Sequence, residues 1–344
     1  MKKWYEESVC DQDVIISSRI RLARNLKKYL FPIKMTDDDA KTMVLQVKAS
    51  LMNDRTIFAD EFEFIDVNSL PSPEKRCLAE SHAISPMLVS KAATCGALIK
   101  KDETVSIMLN EEDHIRIQTI FPGEQIDKAW DMADKIDNLI EESVEYAFDE
   151  KIGYITSCPT NMGTGLRASF MVHIPVIEAL GQVKNMINAL SKFGITIRGI
   201  YGEGSEAMGS IYQISNQVTL GQTEADIIKN LKMSADFVKE QEVKLRNSLF
   251  ERSRTDIEDE CYRAYGTITN ARKISAAEAF KNLSKIRQGY IAEILDIPKP
   301  KKSIYSIMMD IQPGHMQKCI LKDDTDKRDA ERAKYLRDIF RDKY

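Results

Sequence analysis

The stretch SSRIRLARN (17–25) follows the apolar residues 14–16 and sets Arg19 two positions before Arg21. In an extended chain side chains alternate between faces, so both guanidinium groups point the same way and could fork onto phosphate oxygens. A solvated basic strand fits the same spacing. The stretch NEEDHIR (110–116) sets Glu111, Glu112 and Asp113 side by side, with His114 and Arg116 next to them. Adjacent carboxylates repel one another unless cations oppose them, which points to a cation site or a catalytic carboxylate, with an acidic exposed turn as the plainer reading. Zinc is disfavoured, because a single histidine stands there without a second ligand at helical spacing.

Two further stretches are rich in glycine. SCPTNMGTGLRAS (157–169) holds Cys158, Gly163, Gly165 and Arg167. Its glycines would let a ligand approach the backbone, and Cys158 would become a reactive thiolate if guanidinium groups lay close. RGIYGEGSE (198–206) puts Arg198, Glu203 and Glu206 on a glycine-rich loop, which suits a mobile lid over a ligand or an ordinary hairpin-type loop. The Gly-Lys-Ser/Thr ending of a phosphate-binding loop is absent, as are HRD and DFG, so two large ATP-using classes are disfavoured.

Strands and helices must hold these stretches in place. Residues 104–110, 153–157 and 195–201 are rich in β-branched types and read as strands. Between them, 125–148 spaces Ile126, Trp130, Ala133, Ile136, Ile140 and Val144 as a helical stripe, and 175–193 reads as a helix ending at Gly194. Thr36 before Asp37, Asp38 and Asp39 gives a helix cap and an acidic first turn for a helix over 40–52. Beyond Gln222 the strand signal fades, and 224–249, 276–285 and 329–341 read as charged helices.

At 344 residues the chain exceeds the roughly 100 to 200 of one typical domain, so two domains are expected. Its 43% hydrophobic and 30% charged residues argue for a chain folded throughout. With 49 basic against 53 acidic residues, no global positive field attracts nucleic acid or an anionic membrane, so any anion site must be local. No secretion signal or membrane-spanning run stands out, and a cytoplasmic protein is expected. The scattered cysteines form no CxxC pair and are expected to be reduced thiols.

In order and register, SSRIRLARN, NEEDHIR, CPTNMGTGLRAS and RGIYGE resemble the catalytic domain of the phosphagen (guanidino) kinases, over roughly residues 14–245. Within that family the chain is similar to the McsB-type bacterial protein-arginine kinases. Small-substrate members carry a helical domain of about a hundred residues, a typical domain size, before the SSR motif, whereas sixteen precede it here. The resemblance implies an α+β fold: a catalytic domain with a largely antiparallel sheet flanked by helices over 1–250, then a smaller all-α domain over 251–344.

It also implies roles. Arg19, Arg21, Arg116, Arg167 and Arg198 would grip the ATP phosphates and the moving phosphoryl group, with Mg2+ held through ATP and no protein metal ligands. Ser17, Ser18, Ile20, Ala168, Ser169, Phe170, Met171, Gly199, Ile200, Tyr201 and Gly202 complete the ATP-binding stretches, and His82 in SHAISP (81–86) resembles the family's nucleotide-contacting histidine. Met171 departs from the pattern, since small-substrate kinases usually have His there. Glu112 would orient the target guanidinium and take its proton, Glu203 would clamp it, and Cys158 would sit beside it. Arg328, Asp329, Arg332 and Ala333 match the RDxxRA element associated with allosteric phosphoarginine binding.

The implied function is an ATP-dependent protein-arginine kinase that marks proteins for Clp proteolysis and controls a stress repressor of the CtsR type. Its implied partners are an activator of the McsA type and further copies of itself, as a homodimer or larger. Two rivals stand beside this reading: a small-molecule guanidino kinase, and an idle nucleotide- or phosphoarginine-binding regulator. The missing N-terminal gating domain argues against the first. The full set of arginines and glutamates argues against the second.

Overall fold

The computed structural model describes residues 1–11, 13–52, 58–199, 207–320 and 324–341. Alternation in the first arginine stretch becomes strand β1 (Ile15–Arg24), where Arg19 and Arg21 are the partly exposed positions of an otherwise buried strand. The remaining strands are β2 (Phe62–Asp66), β3 (Gly96–Lys100), β4 (Val105–Leu109), β5 (Ile115–Pro122), β6 (Phe148–Asp149), β7 (Gly153–Tyr154), β8 (Leu166–His173), β9 (Ile195–Gly199) and β10 (Ile211–Asn216). An eight-stranded sheet runs in the order β2-β3-β4-β5-β1-β8-β10-β9, and β6 pairs with β7. The pairs β2–β3, β3–β4 and β4–β5 are antiparallel. Hydrogen bonds from Ala23 N–H to Gly165 O (3.0 Å) and from His173 N–H to Val14 O (2.8 Å) give β1 and β8 the same antiparallel sense.

The chain divides into two compact units, one of Met1–Trp4, Ser18–Ser169 and Ser215–Lys232, the other of Tyr5–Ser17, Phe170–Ile214 and Met233–Tyr344. In the first, the helix Ile126–Glu141 buries Ile126, Ala129, Ala133, Ile136 and Ile140, a stripe at helical spacing. The Thr119 hydroxyl of β5 donates to Ala129 O at 2.7 Å. This helix stops seven residues short of the expected Phe148, because Ala147 N–H bonds Asn25 O at 2.7 Å and draws the chain into an extended course. The cap at Thr36 forms as expected, its hydroxyl accepting Asp39 N–H at 3.2 Å at the head of the helix Asp37–Leu51.

In the second unit, the helix expected over 175–193 is broken into Pro175–Ala179 and Val183–Ser191 by Gly181 at φ +66°. The buried Glu242 carboxylate accepts Val176 N–H (3.0 Å) and Ile177 N–H (2.9 Å) and so caps the first piece. Close to the expected boundary at 250/251, the helical run Glu224–Asn270 is two helices that meet at a kink, where Ser253 leaves helical geometry (φ −138°, ψ 38°). The helices Ala276–Ile291 and Thr325–Arg341 extend the expected ones, and Ile304–Asp310 and Pro313–Gln317 had no clear sequence signal. Buried Arg287 joins this unit's chain start to its helices: it donates to Cys10 O (2.8 Å), Asp13 O (2.6 Å), His173 Nδ1 (2.7 Å) and Asp11 (3.2 Å). Burial and Arg287 hold His173 well below its ordinary range, so the ring accepts from Arg287 and donates to Ser284 at 2.7 Å. Among the described residues no cysteine is joined in a disulfide.

Candidate active site

Strand β1 carries Arg19 and Arg21 on one face, as the alternation requires. Arg19 Nε lies 3.4 Å from the Ser169 hydroxyl of β8. Burial and then the neighbouring cations Arg19, Arg116 and Arg167 hold Arg21 well below the ordinary guanidinium range, while Glu111 opposes them. Arg21 Nε is buried without a hydrogen-bond partner in the described structure. Like charges gathered in partial burial raise the folded state's energy unless anions oppose them, and Glu111 and Glu112 do so at Arg116.

The acidic stretch divides its work. Arg116 on β5 forks onto two carboxylates, Nη1 reaching Glu111 at 2.7 Å and Nη2 reaching Glu112 at 3.0 Å. Glu111 is enclosed and also accepts the Ser85 hydroxyl, while its backbone oxygen accepts Lys91 Nζ at 2.8 Å. Glu112 keeps 28% of its side chain exposed and is the acid of the pair that a substrate can reach. Asp113 and His114 face inward: Asp113 Oδ1 accepts Asn25 Nδ2 (2.7 Å) and Ser157 N–H (2.6 Å), and Asn25 Oδ1 accepts His114 N–H (2.9 Å). His114 Nδ1 accepts Leu26 N–H at 2.9 Å and Nε2 faces Leu30 O at 2.9 Å, which requires the neutral ring with its proton on Nε2. Burial lowers its pKa in agreement.

His82 stands in the left-handed region at φ +62°, its ring 6.5 Å from that of Trp4. Burial, Arg19 and Arg21 push its pKa down to about 3. The folded state therefore refuses a proton that the unfolded chain accepts near 6.5, so stability present above that pH is lost as pH falls toward 3. Replacing His82 by Asn, which tolerates this backbone conformation, is expected to flatten the loss between pH 7 and pH 5, read from urea midpoints.

Cys158 is half-buried, with its sulfur 3.0 Å from the Thr160 hydroxyl. The strand expected over 153–157 shrinks to β7, because Ile155 N–H turns to Ala147 O and Ser157 N–H to Asp113. At Gly163 and Gly165 it is the chain itself that approaches closely. A Cβ on Gly163 would meet Thr219 O at 2.6 Å, and one on Gly165 would meet Arg24 Nη1 at 2.5 Å.

Arg24, the last arginine of its stretch, is a structural clamp. It is 2% exposed, binds Asp137 through Nη2 (2.6 Å) and Nε (3.0 Å), donates to Thr164 O (3.0 Å), and lies 3.5 Å over the Tyr154 ring. Arg24→Ala leaves the Asp137 charge buried without its cation, and is expected to destabilise the fold by about 3–5 kcal/mol in urea unfolding.

The remaining expected residues lie as follows. Ser18 joins β1 to the helix Ile126–Glu141, donating to Gly123 O and accepting Gln125 N–H, both at 2.7 Å. Ser17, Ile20, Ala168 and Phe170 are buried, with side chains in the interior. Met171, in the second unit, is buried with its sulfur 3.0 Å from the Tyr305 hydroxyl. Arg198 and Gly199 end β9 in that same unit. Ile200, Tyr201, Gly202 and Glu203 lie outside the described residues. Arg328 Nη1 meets Gln317 Oε1 at 3.1 Å. Arg332 is not an open fork: it is 1% exposed, gives Nε to Ile311 O (2.8 Å) and Nη1 to Ile274 O (2.9 Å), and pairs with Asp329, while Ala333 is fully buried. Reasoning from sequence missed Ser85, Asn25 and Asp137 as partners of the charged groups, since each comes from a distant segment.

Two family models match the chain: the ATP:guanido phosphotransferase C-terminal catalytic domain over residues 42–245, and the protein-arginine kinase McsB C-terminal domain over 254–343. Among curated relatives, the protein-arginine kinase of Caldanaerobacter subterraneus is 46% identical over 95% of this chain and 96% of its own. That of Brevibacillus brevis is 41% identical over 98% and 95%, and that of Bacillus subtilis 42% over 92% and 87%. Among solved structures, a duplicated taurocyamine kinase from Schistosoma mansoni aligns with TM-score 0.62 at 23% identity, over 74% of this chain and 38% of its own. A lombricine kinase aligns with TM-score 0.61 at 21% identity over 72% and 70%, and these two likenesses bear on the fold alone. Among the described residues no helix is long and apolar enough to cross a membrane. With near full-length identity above 40% to protein-arginine kinases and both of the family's domains matched in sequence order, the chain belongs to the ATP:guanido phosphotransferase family as an ATP-dependent protein-arginine kinase.

Proposed function

We propose that Arg19, Arg21, Arg116 and Arg167 receive the ATP phosphates and that Glu112 acts on the incoming arginine. The observation that carries this reading is Arg21, whose buried Nε has no partner in the described structure, among cations that include Arg116, the residue paired with the partly exposed Glu112. A protonated guanidinium is a poor nucleophile, so a carboxylate must align it and take a proton during attack. As the new N–P bond forms and the bond from γ-phosphorus to the ADP oxygen breaks, the arginine proton passes to Glu112. The arginines neutralise charge on the transferred group. Mg2+ fits as an ion carried by ATP, because Glu111 and Glu112 already face Arg116; it would supply positive charge that offsets the phosphates. Arg198 and Glu203 complete the grip in this reading, His82 contacts the nucleotide and Cys158 flanks the guanidinium.

The reading extends to a cytoplasmic enzyme that marks proteins for Clp proteolysis, regulates a CtsR-type repressor, answers to an McsA-type activator and self-associates. A catalytic domain over 1–250 and a helical domain over 251–344 are supported by where the two family matches begin and end. An allosteric phosphoarginine site at Arg328, Asp329, Arg332 and Ala333 is supported by the match over 254–343, with Arg332 shaping the helix ends and Arg328 the more accessible group. The test is incubation with magnesium ATP and either free arginine or a mixed protein substrate, locating acid-labile phosphate by mass spectrometry. Phosphoarginine in protein alone is expected. Phosphate on free arginine alone would make this a small-molecule kinase.

A further inference from the structure

Asp113 is the most enclosed acid of NEEDHIR, fully buried, and its Oδ2 has no hydrogen-bond partner in the described structure. Its Oδ1 does all the bonding. That single oxygen accepts Asn25 Nδ2 at 2.7 Å and Ser157 N–H at 2.6 Å. Asn25 returns a bond through Oδ1 to His114 N–H at 2.9 Å and donates again to Ile155 O at 3.1 Å. The neighbours are telling: Asn25 ends the arginine stretch of β1, Asp113 directly follows Glu112, and Ser157 directly precedes Cys158. A residue one peptide from a fixed backbone group has little freedom to drift. His114 tightens the same junction by accepting Leu26 N–H, so four consecutive bonds bind three chain segments far apart in sequence.

We propose that Asp113, acting with Asn25, is a positioning residue that fixes Glu112 and Cys158 relative to the arginine strand. The inference rests on the roles given above to Glu112 and Cys158. Reaction rates are steeply sensitive to placement, and a displacement of about 1 Å lowers them about 100-fold. The bonding is done by one oxygen, which an amide also offers, and the buried Oδ2 makes no bond that an amide would break. Asp113→Asn therefore retains the junction, whereas Asp113→Ala and Asn25→Ala remove it.

The experiment compares these three variants and Glu112→Ala in the full chain. Readouts are kcat and KM for ATP with an unfolded arginine-bearing protein, and the rate of iodoacetamide alkylation of the Cys158 peptide by mass spectrometry. Both alanine variants are expected to lose about 100-fold in kcat with KM for ATP within about twofold, to change the Cys158 alkylation rate, and Asp113→Asn to stay within about fivefold of the parent. If Asp113→Ala fails to fold, Asn25→Ser, which leaves Asp113 bonded to Ser157, carries the same expectation at about tenfold. Full activity in the alanine and serine variants would overturn the proposal. So would an Asp113→Asn variant as inactive as Asp113→Ala, since the charge would then act directly. An active Glu112→Ala would instead overturn the underlying reading, which keeps the two failures apart.

Discussion

Glu112→Ala is expected to lower phosphoryl transfer to protein arginine by about 1000-fold, in line with the loss of a positioned general base, while ATP still binds. The acid is the more exposed of the two that Arg116 holds, at 28% against none for Glu111. Its removal leaves Arg116 still paired with Glu111 at 2.7 Å, so that arginine keeps its place. The loss should thus appear in kcat and spare KM for ATP, a split that steady-state kinetics reads directly. Glu112→Gln separates two contributions: an amide can still accept a hydrogen bond from the guanidinium, but it takes up no proton and adds no negative charge. Near-parent transfer by either variant would remove Glu112 from the mechanism.

Arg21→Met is expected to have opposite effects on activity and stability. Transfer should fall by about 100- to 1000-fold, the loss found when one donor is removed from a site that stabilises developing charge. Thermal stability of the ligand-free protein should rise, because burial and Arg19, Arg116 and Arg167 all disfavour the Arg21 charge and only Glu111 favours it. Methionine fills similar space without charge. The parent should gain stability on adding magnesium ATP as phosphate oxygens meet the unpartnered Arg21 Nε, and the variant should gain much less. A thermal melt with and without nucleotide checks both halves. A variant less stable than its parent would mean that Arg21 is a packing residue, like Arg24. Arg21→Lys should restore little transfer, since an ammonium lacks the planar fork.

The two strand arginines and their neighbour show what can be known in advance. Arg19 and Arg21 share a face because β alternation has a fixed period of two, and that much is legible in nine letters. Arg24 lies three positions beyond Arg21 and so faces the other way, yet nothing local announces that Asp137, Thr164 and Tyr154 would enclose it. The glycines of 157–169 gave a similar lesson. Their conformational freedom was readable, but whether a ligand or the chain itself would approach them depended on Thr219 and Ala23, from other segments.

The residue types, their spacing and the order of the motifs were enough to name the family, the α+β class and the acid, thiol and arginines of the candidate site. These are local properties, written in side-chain chemistry and in the periods of helix and strand. Tertiary structure decided which charges are paired and which are left open. Arg116 takes both Glu111 and Glu112, Arg332 turns inward to backbone carbonyls, and Arg21 alone of these keeps a buried nitrogen without a partner. The reason is physical: the energy of a buried charge depends on what lies within a few ångströms, and those neighbours come from strands and helices tens or hundreds of residues away.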